Sequence, residues 1–219
     1  MIDVAALGEL LIDFTCLSTD ENGYPTMAAH PGGAPANFLA ALAKYGAKTA
    51  MLGKVGDDTF GRLLLDTLRR AGIETRGMIA APDVFTTLAF VTLDARGERE
   101  FAFARKPGAD TCLRSEELNA AVLDSTRILH AGSLSLTDEP ARSATFAAVE
   151  RAKASGAVIS YDPNYRAALW PDVETAAGHM RSMVPYVDVM KLSDEETALL
   201  TGESDPAAAA AVLLSRGVK

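Results

Sequence analysis

Residues 32–61 read GGAPANFLAALAKYGAKTAMLGKVGDDTFG, and no other part of the sequence indicates a fold class as clearly. Apolar side chains recur on one face over 35–45, which predicts a helix that Gly46 ends. A short apolar strand is predicted at 50–54, and a second helix at 59–71. Strands and helices that alternate in this way are typical of a parallel sheet covered by helices.

The same alternation extends to both sides of this stretch. One strand is predicted at 4–14, and further strands and helices follow in the second half of the chain. The predicted later strands are 128–131, 158–162 and 187–192, and the predicted later helices are 140–155 and the alanine-rich segment after Asp205.

The segment 86–105 does not follow this alternation. Two apolar runs, 87–93 and 100–105, flank Asp94-Ala95-Arg96-Gly97, and this pattern predicts a β-hairpin. This segment therefore interrupts the alternation of strands and helices.

Composition and charge exclude several classes of protein. The chain has 219 residues, of which 48% are hydrophobic, but no apolar run reaches the roughly 20 residues that span a bilayer. A formal charge of -8 argues against a nucleic-acid or membrane-surface partner. We expect a cytoplasmic protein, because no secretory signal is visible and Cys16 and Cys112 show no metal or redox spacing.

Gly32, Gly33 and Asn37 form the first candidate binding cluster. The glycines allow close backbone approach, and the helix that follows presents free N–H groups. Asn37 offers both a donor and an acceptor, as a pair of sugar hydroxyls requires. From the residues alone, a plain turn before a helix explains the cluster as well. It is neither a Walker A loop nor a GxGxxG fingerprint.

In context, residues 32–61 resemble the N-terminal signature of the PfkB (ribokinase-like) carbohydrate kinases. The resemblance covers essentially the whole chain and is closest to the fructokinases. The other matching segments are GELLIDF at 8–14, AFVTL at 89–93, GEREF at 97–101, HAGSLSL at 130–136, Glu139-Pro140, SYDPNYR at 160–166 and LWP at 169–171.

The resemblance implies a ribokinase-like α/β fold with a mostly parallel sheet flanked by helices and a small β-sheet lid over the sugar. The lid would comprise 15–31 and 84–106. The α/β core would comprise 1–14, 32–83 and 107–219, with its C-terminal part missing.

The resemblance also implies a sugar site. Asp13 is expected at the carboxyl end of the first strand, where open α/β sheets bind ligands. Phe101, Phe103 and Arg105 alternate and so share one face of the lid, although the two aromatic rings could equally pack a core of the lid. The residues expected to bind substrate are Asp13, Gly32, Gly33, Asn37, Phe101, Phe103 and Arg105.

A phosphate site is implied at the ends of two later strands. Asn164, Arg166 and Lys191 would approach ATP and its phosphates, and Glu196 would organise Mg²⁺ and phosphate through water, with no direct metal ligand. Ser193 stands where the family usually has asparagine. Without the resemblance, a surface ion pair and an acidic first helical turn would explain these residues.

The family's catalytic base is an aspartate in a Gly-Ala-Gly-Asp motif, and this sequence contains no such motif. The sequence ends at Gly217-Val218-Lys219, where another strand is expected, so we predict truncation. We also predict that these 219 residues alone do not phosphorylate a sugar.

The resulting hypothesis is an ATP- and Mg²⁺-dependent fructokinase that converts D-fructose to fructose 6-phosphate, with K⁺ dependence left open. A 2-keto-3-deoxygluconate kinase or a ribokinase of the same family is the first alternative. A catalytically incomplete sugar-binding or regulatory protein is the second. Lid sheets in this family often pair between subunits, so a homodimer through the lid is also considered.

Overall fold

The computed structural model describes residues 1–93 and 99–219, with side chains described for all of these except Leu93, Arg99 and Glu100. Its centre is a six-stranded sheet in the order β10-β9-β8-β1-β4-β5, in which every neighbouring pair is parallel. The six strands are β1 (Ile2–Leu7), β4 (Thr49–Gly56), β5 (Glu74–Ala81), β8 (Thr126–Ala131), β9 (Val158–Tyr161) and β10 (Val189–Met190).

A second sheet has four strands in the order β3-β2-β6-β7. β2 pairs in parallel with β6, whereas the pairings of β2 with β3 and of β6 with β7 are antiparallel. The strands are β2 (Leu11–Thr19), β3 (Pro25–Gly32), β6 (Leu88–Leu93) and β7 (Arg99–Ala104).

Seven α-helices accompany the sheets within the described ranges. Several begin with a side-chain cap: Asp58, Asn119, Asp172, Ser193 and Asp205 each accept a hydrogen bond from a backbone N–H of the first turn. The helices are α1 (Ala34–Lys44), α2 (Thr59–Arg70), α3 (Ala120–Asp124), α4 (Ala141–Ala154), α5 (Val173–Met183), α6 (Asp194–Thr201) and α7 (Pro206–Ser215).

The parallel sheet separates two apolar cores. In β1, Ala5 and Leu7 belong to the larger core with α4 and α5, while Val4 and Ala6 belong to the smaller core with α1 and α2. Successive strand residues face opposite sides of a sheet, so a strand covered on both faces must be apolar throughout. Every residue of β4 is accordingly buried.

The structure confirms the predicted α/β class and the alternation around residues 32–61. The predicted helices at 35–45 and 59–71 correspond to α1 and α2, and the predicted strand at 50–54 lies within β4. The second sheet is also present, and its two segments are Leu11–Gly32 and Leu88–Ala104. Its action as a lid stays a prediction, and the predicted hairpin turn at 94–97 lies outside the described residues.

The prediction of one strand over 4–14 is wrong. β1 ends at Leu7, and β2 begins at Leu11 in the other sheet. The chain bends at Gly8, whose N–H donates to Leu52 O at 3.2 Å and where a Cβ would lie 2.7 Å from Pro35 Cγ. Because the residues on both sides are apolar, the sequence pattern shows no break.

Among the described residues, no helix is both long enough and apolar enough to cross a bilayer.

Asp58 links the start of α2 to the segment that leads into β6 of the second sheet. Its Oδ1 accepts from Gly61 N at 2.8 Å at the start of α2, and its Oδ2 accepts from Thr86 N at 2.8 Å just before β6. These hydrogen bonds outweigh partial burial and lower the pKa of the Asp58 carboxyl.

A substitution at Gly61 would test how tightly the start of α2 packs against the rest of the protein. A Cβ at Gly61 would overlap Gly56 O, which is backbone and cannot move aside. We expect Gly61→Ala to lower the free energy of unfolding by about 2–4 kcal/mol in urea denaturation. The matched control is Gly178→Ala in α5, where a Cβ meets nothing within 4 Å; this change should stabilise by roughly 0.5–1 kcal/mol. Equal effects of the two substitutions would contradict the packing described.

Candidate functional site

A cleft of ≈ 150 Å³ lies where the ends of β1, β8 and β9 meet the second sheet. Loops at the carboxyl edge of a parallel sheet commonly carry the ligand site of an α/β protein. The structure brings seven of the predicted site residues to this cleft from four separate parts of the chain. The lining residues are Glu9, Leu11, Asp13, Gly33, Ala34, Asn37, Phe101, Phe103, Leu134, Asn164 and Arg166.

Asp13 lies in β2 of the second sheet, not at the end of the first strand as predicted. It reaches the cleft because β2 crosses the carboxyl edge of the parallel sheet. Its side chain is partly buried, and burial raises the pKa of its carboxyl, while the charges of His30 and Arg166 oppose that rise. A partly desolvated carboxylate is a strong acceptor for hydroxyl donors.

Gly32 and Gly33 have different structural roles. Gly32 ends β3 beside Asp13, and a Cβ there would overlap the Asp13 carboxylate; the residue does not line this cleft. Gly33 is the N-cap of α1 with φ 112°, and a Cβ there would overlap the carbonyl oxygen of Glu9. Both positions therefore require glycine for close approach.

Asn37 projects from the first turns of α1 into the same cleft and is exposed. Its backbone N–H donates a hydrogen bond to Gly33 O at 3.0 Å. The carboxamide therefore offers its donors and its acceptor to whatever enters the cleft.

Phe101 and Phe103 on β7 form an aromatic wall. Their rings are nearly parallel, with centroids 6.3 Å apart and an interplanar angle of 13°. Both line the cleft, which agrees with the predicted alternation; with Arg105 they also line an adjoining cleft of ≈ 360 Å³. The strand register places Phe103 on the same face of the second sheet as Asp13, two strands away, so this sheet presents apolar and polar groups side by side to the cleft.

Arg105 was predicted to bind substrate, and the structure shows that its guanidinium already contacts protein groups. Nε and Nη2 lie 2.8 Å and 2.7 Å from Asp110 Oδ2, Nη1 donates to Thr137 Oγ1 at 2.8 Å, and Nη2 donates to Leu134 O at 2.7 Å. The arginine and aspartate side chains are 4% and 3% exposed. Arg105 therefore ties the end of β7 to the loop that lines the cleft.

A second cleft of ≈ 290 Å³, which we call the inner cleft, adjoins the first. The two share Glu9, Ala34, Leu134 and Asn164. The inner cleft is further lined by Pro35, Phe38, His130, Gly132, Ser160, Asp162 and Lys191.

Asn164, Arg166 and Lys191 come together around these two clefts. Asn164 has a left-handed backbone (φ 47°), held by its N–H donating to Asp162 Oδ1 at 3.1 Å. Arg166 donates through Nη1 to Tyr165 O at 2.9 Å, and its charge opposes the pKa rise of Asp13. Lys191 pairs with Asp162 at 3.2 Å and is 65% exposed. Two positively charged side chains, Arg166 and Lys191, therefore lie beside the two clefts.

Glu196 is away from both clefts and is almost fully buried. Its Oε2 accepts from Ser193 N at 2.7 Å in a capping box, and its Oε1 accepts from Tyr165 N at 2.8 Å. Both oxygens bond to the backbone, so Glu196 holds the Tyr165 loop against α6. Among the described residues, no group of three metal-ligating side chains is placed to hold an ion.

The sequence argument missed Glu9 and His130, although both line the inner cleft. Glu9 is 3% exposed, and burial raises the pKa of its carboxyl to about 7. His130 donates to or accepts from Ser160 Oγ at 3.0 Å, its ring lies 4.2 Å from that of Phe38, and burial lowers its pKa to about 4. A charged residue inside the apolar run 4–12 was the one available signal for Glu9.

Comparison with known proteins agrees with this arrangement. The profile of the pfkB family carbohydrate kinases matches residues 1–219. Fructokinase-1 of Oryza sativa subsp. japonica is 45% identical over 201 residues, covering 91% of this chain and 62% of that protein. Fructokinase-2 of Solanum lycopersicum is 44% identical over 203 residues, covering 92% of this chain and 62% of that protein. The chain spans about 60% of the length of the curated relatives that it matches.

Solved structures extend the similarity to three dimensions. Fructokinase with bound ATP from Xylella fastidiosa superposes with a TM-score of 0.90 at 35% identity, covering 98% of this chain and 69% of that one. A structure from E. coli, named for ribokinase II and in complex with ATP and Mg²⁺, gives a TM-score of 0.89 at 30% identity. The match covers all of this chain (100%) and 71% of that one.

The contacts of Arg105 predict a structural role that can be measured. Arg105→Met leaves Asp110 as an uncompensated buried charge, so we expect the free energy of unfolding to fall by about 3–5 kcal/mol. Arg62→Met is the matched control, because the Arg62–Asp57 pair is 61% and 56% exposed; it should change stability by less than about 1 kcal/mol. Normal stability of Arg105→Met with lost ligand affinity would instead support a direct substrate contact.

His130 predicts a dependence of stability on pH. Its pKa is about 4 in the folded chain and near the ordinary 6.5 when unfolded, so the unfolded state binds the proton first as pH falls. Between pH 6.5 and 4, wild type should lose about 3 kcal/mol more stability than His130→Gln in urea titrations. His30→Gln, at an exposed position, serves as the control. Parallel pH profiles for wild type and His130→Gln would contradict this assignment.

Proposed function

This chain belongs to the pfkB family of carbohydrate kinases, and on that premise we propose that it carries the sugar-binding part of an ATP-dependent fructokinase. The observation that supports the proposal best is the gathering of Asp13, Asn37 and Arg166 round one cleft with an aromatic wall. A flat apolar surface in the same cleft as a carboxylate, a carboxamide and a guanidinium suits a polyhydroxylated ring. The fructokinase names of the relatives support a ketose as that ring.

In this proposal, Asp13 accepts hydrogen bonds from two sugar hydroxyls, and Asn37 donates to one hydroxyl and accepts from another. Phe101 and Phe103 cover the apolar face of the sugar. The second sheet closes over the ligand as a lid and excludes water, with the Arg105–Asp110 pair holding its base. Gly32 and Gly33 contribute by the close packing that their lack of a side chain allows.

The cationic groups next to the sugar site support a phosphoryl-transfer role. ATP with Mg²⁺ would supply the phosphoryl group and its charge compensation. Arg166 and Lys191 would bind phosphate oxygens, and Asn164 would present its carboxamide between the two clefts. Glu196 would act indirectly, since it fixes the loop that carries Tyr165 and Arg166. K⁺ dependence and a homodimer through the second sheet belong to this proposal on the family resemblance alone. A cytoplasmic location belongs to it as the expectation from cysteine usage.

Transfer to the sugar also requires a base, and these 219 residues contain no Gly-Ala-Gly-Asp segment. The kinetic test therefore uses the complete reading frame of the gene, with Mg²⁺·ATP, in the presence and absence of K⁺. D-fructose should have the highest kcat/KM in a panel with 2-keto-3-deoxygluconate and D-ribose. A preference for 2-keto-3-deoxygluconate with negligible turnover of fructose would favour that alternative. Fructose binding without phosphorylation would favour a sugar-binding or regulatory protein.

Asp13 gives the sharpest test of the sugar site. Asp13→Asn keeps the shape but removes the charge, so fructose affinity measured by isothermal titration should fall roughly tenfold to a hundredfold. Asp66→Asn is the control, because Asp66 is exposed on α2 and pairs with Arg69 on the same helix. Wild-type affinity in Asp13→Asn would refute the role proposed for this carboxylate.

A further inference from the structure

Glu9 occupies the point where the chain passes from the parallel sheet into the second sheet. Gly8 before it is bonded to Leu52 and packed on Pro35, and the carbonyl of Glu9 lies against Gly33. The backbone on both sides of Glu9 is therefore held in place. A side chain on so constrained a segment has a defined direction.

The carboxylate of Glu9 accepts one hydrogen bond within the protein, and the side chain also lines both clefts. Its Oε1 accepts from Ala34 N at 2.9 Å, the first N–H of α1. Within the described part of the chain, Oε2 accepts no hydrogen bond from another side chain or from the backbone of another residue. Glu9 is 3% exposed, yet it lines both the cleft that contains Asp13 and Asn37, which we call the sugar cleft, and the inner cleft. What remains accessible of this side chain is therefore directed at the ligand space.

We propose that Glu9 is a further sugar-binding residue, whose Oε1 holds the start of α1 and whose Oε2 accepts a hydrogen bond from a ligand hydroxyl. The inference rests on the proposed sugar-kinase function. Because Glu9 belongs to both clefts, it contacts the hydroxyl nearest the inner cleft. Asp13 and Asn37 line the sugar cleft only, so Glu9 distinguishes the two ends of the sugar.

The electrostatic surroundings make this contact sensitive to pH. Burial is the largest influence on the Glu9 carboxyl and raises its pKa to about 7; the backbone N–H of Glu9 itself, the Ala34 N–H and Arg105 oppose the rise, and Asp110 adds to it. Both protonation states are therefore populated near neutral pH. The other charged or titratable groups around Glu9 are Asp13 and Arg166 across the sugar cleft, His130, Asp162 and Lys191 across the inner cleft, and His30 beside Asp13.

The sign of the effect follows from the chemistry of the contact. A ligand hydroxyl donates to the ionised carboxylate, so binding favours ionised Glu9 and releases a proton wherever the free side chain is protonated. Fructose affinity should rise with pH through about 7 and be about tenfold weaker at pH 6 than at pH 8. At pH 7 the binding of one sugar should release about half a proton.

The experiment is isothermal titration of D-fructose into the chain at several pH values. Proton release is read from titrations in buffers of different ionisation enthalpy. Glu9→Gln keeps an acceptor for Ala34 N–H but cannot ionise, so it should bind about tenfold more weakly than wild type at pH 8, with no pH dependence between 6 and 8. His30→Gln, which removes the exposed histidine beside Asp13, should retain the wild-type pH profile.

The outcomes separate this inference from the proposal on which it rests. Wild-type binding with no proton release at pH 7, or a Glu9→Gln variant with the wild-type affinity and pH profile, would overturn the role of Glu9 and leave the sugar site standing. Loss of the pH dependence in His30→Gln would assign the titration to His30 and also overturn it. If wild type binds no sugar at any pH, the proposed function fails and this inference fails with it. The proton-release measurement needs no variant, so unfolding of Glu9→Gln would not prevent the test.

Discussion

The close approach of two backbone segments organises this molecule. Gly33, at the start of α1, lies directly against the carbonyl of Glu9, in the short connection between β1 and β2. Any side chain at Gly33 would force the two segments apart. Their contact fixes the start of the helix against the point where the chain changes sheets. Asp13, four residues after Glu9, and Asn37, four residues after Gly33, therefore face the same cleft.

A second constraint sets the position of the small sheet. Arg105 and Asp110 form an ion pair that is almost completely buried, and their remaining hydrogen bonds go to Thr87, Thr137 and Leu134 O. These partners belong to the entry to β6 and to the loop after β8. A buried ion pair is tolerated when its geometry is good and additional hydrogen bonds satisfy its remaining polar atoms. The pair thus specifies how the second sheet meets the parallel sheet, and it holds the end of β7, the strand that carries Phe101 and Phe103, at the cleft.

The clefts also concentrate groups whose protonation is altered by burial. Glu9 and His130 both line the inner cleft, and burial favours the neutral form of each. Asp13 is shifted in the same direction as Glu9, against the charges of His30 and Arg166. A site that is partly desolvated before any ligand enters has less hydration to lose on binding. Its hydrogen bonds to hydroxyl groups are correspondingly stronger.

The sequence by itself determined the α/β class and most helices and strands, because hydrophobic periodicity and glycine spacing are local properties. The family followed from the resemblance of residues 32–61 and several shorter segments to the carbohydrate kinases. The sequence also identified Asp13, Asn37, Phe101, Phe103, Asn164 and Arg166, which the structure brings to one cleft. Only the tertiary structure showed that β1 and β2 belong to different sheets, since the run from Val4 to Ile12 is apolar almost without a break. It alone showed that Arg105 and Glu196 are engaged by the protein and that Glu9 faces the ligand space. Those assignments depend on partners distant in sequence, and no local pattern contains them.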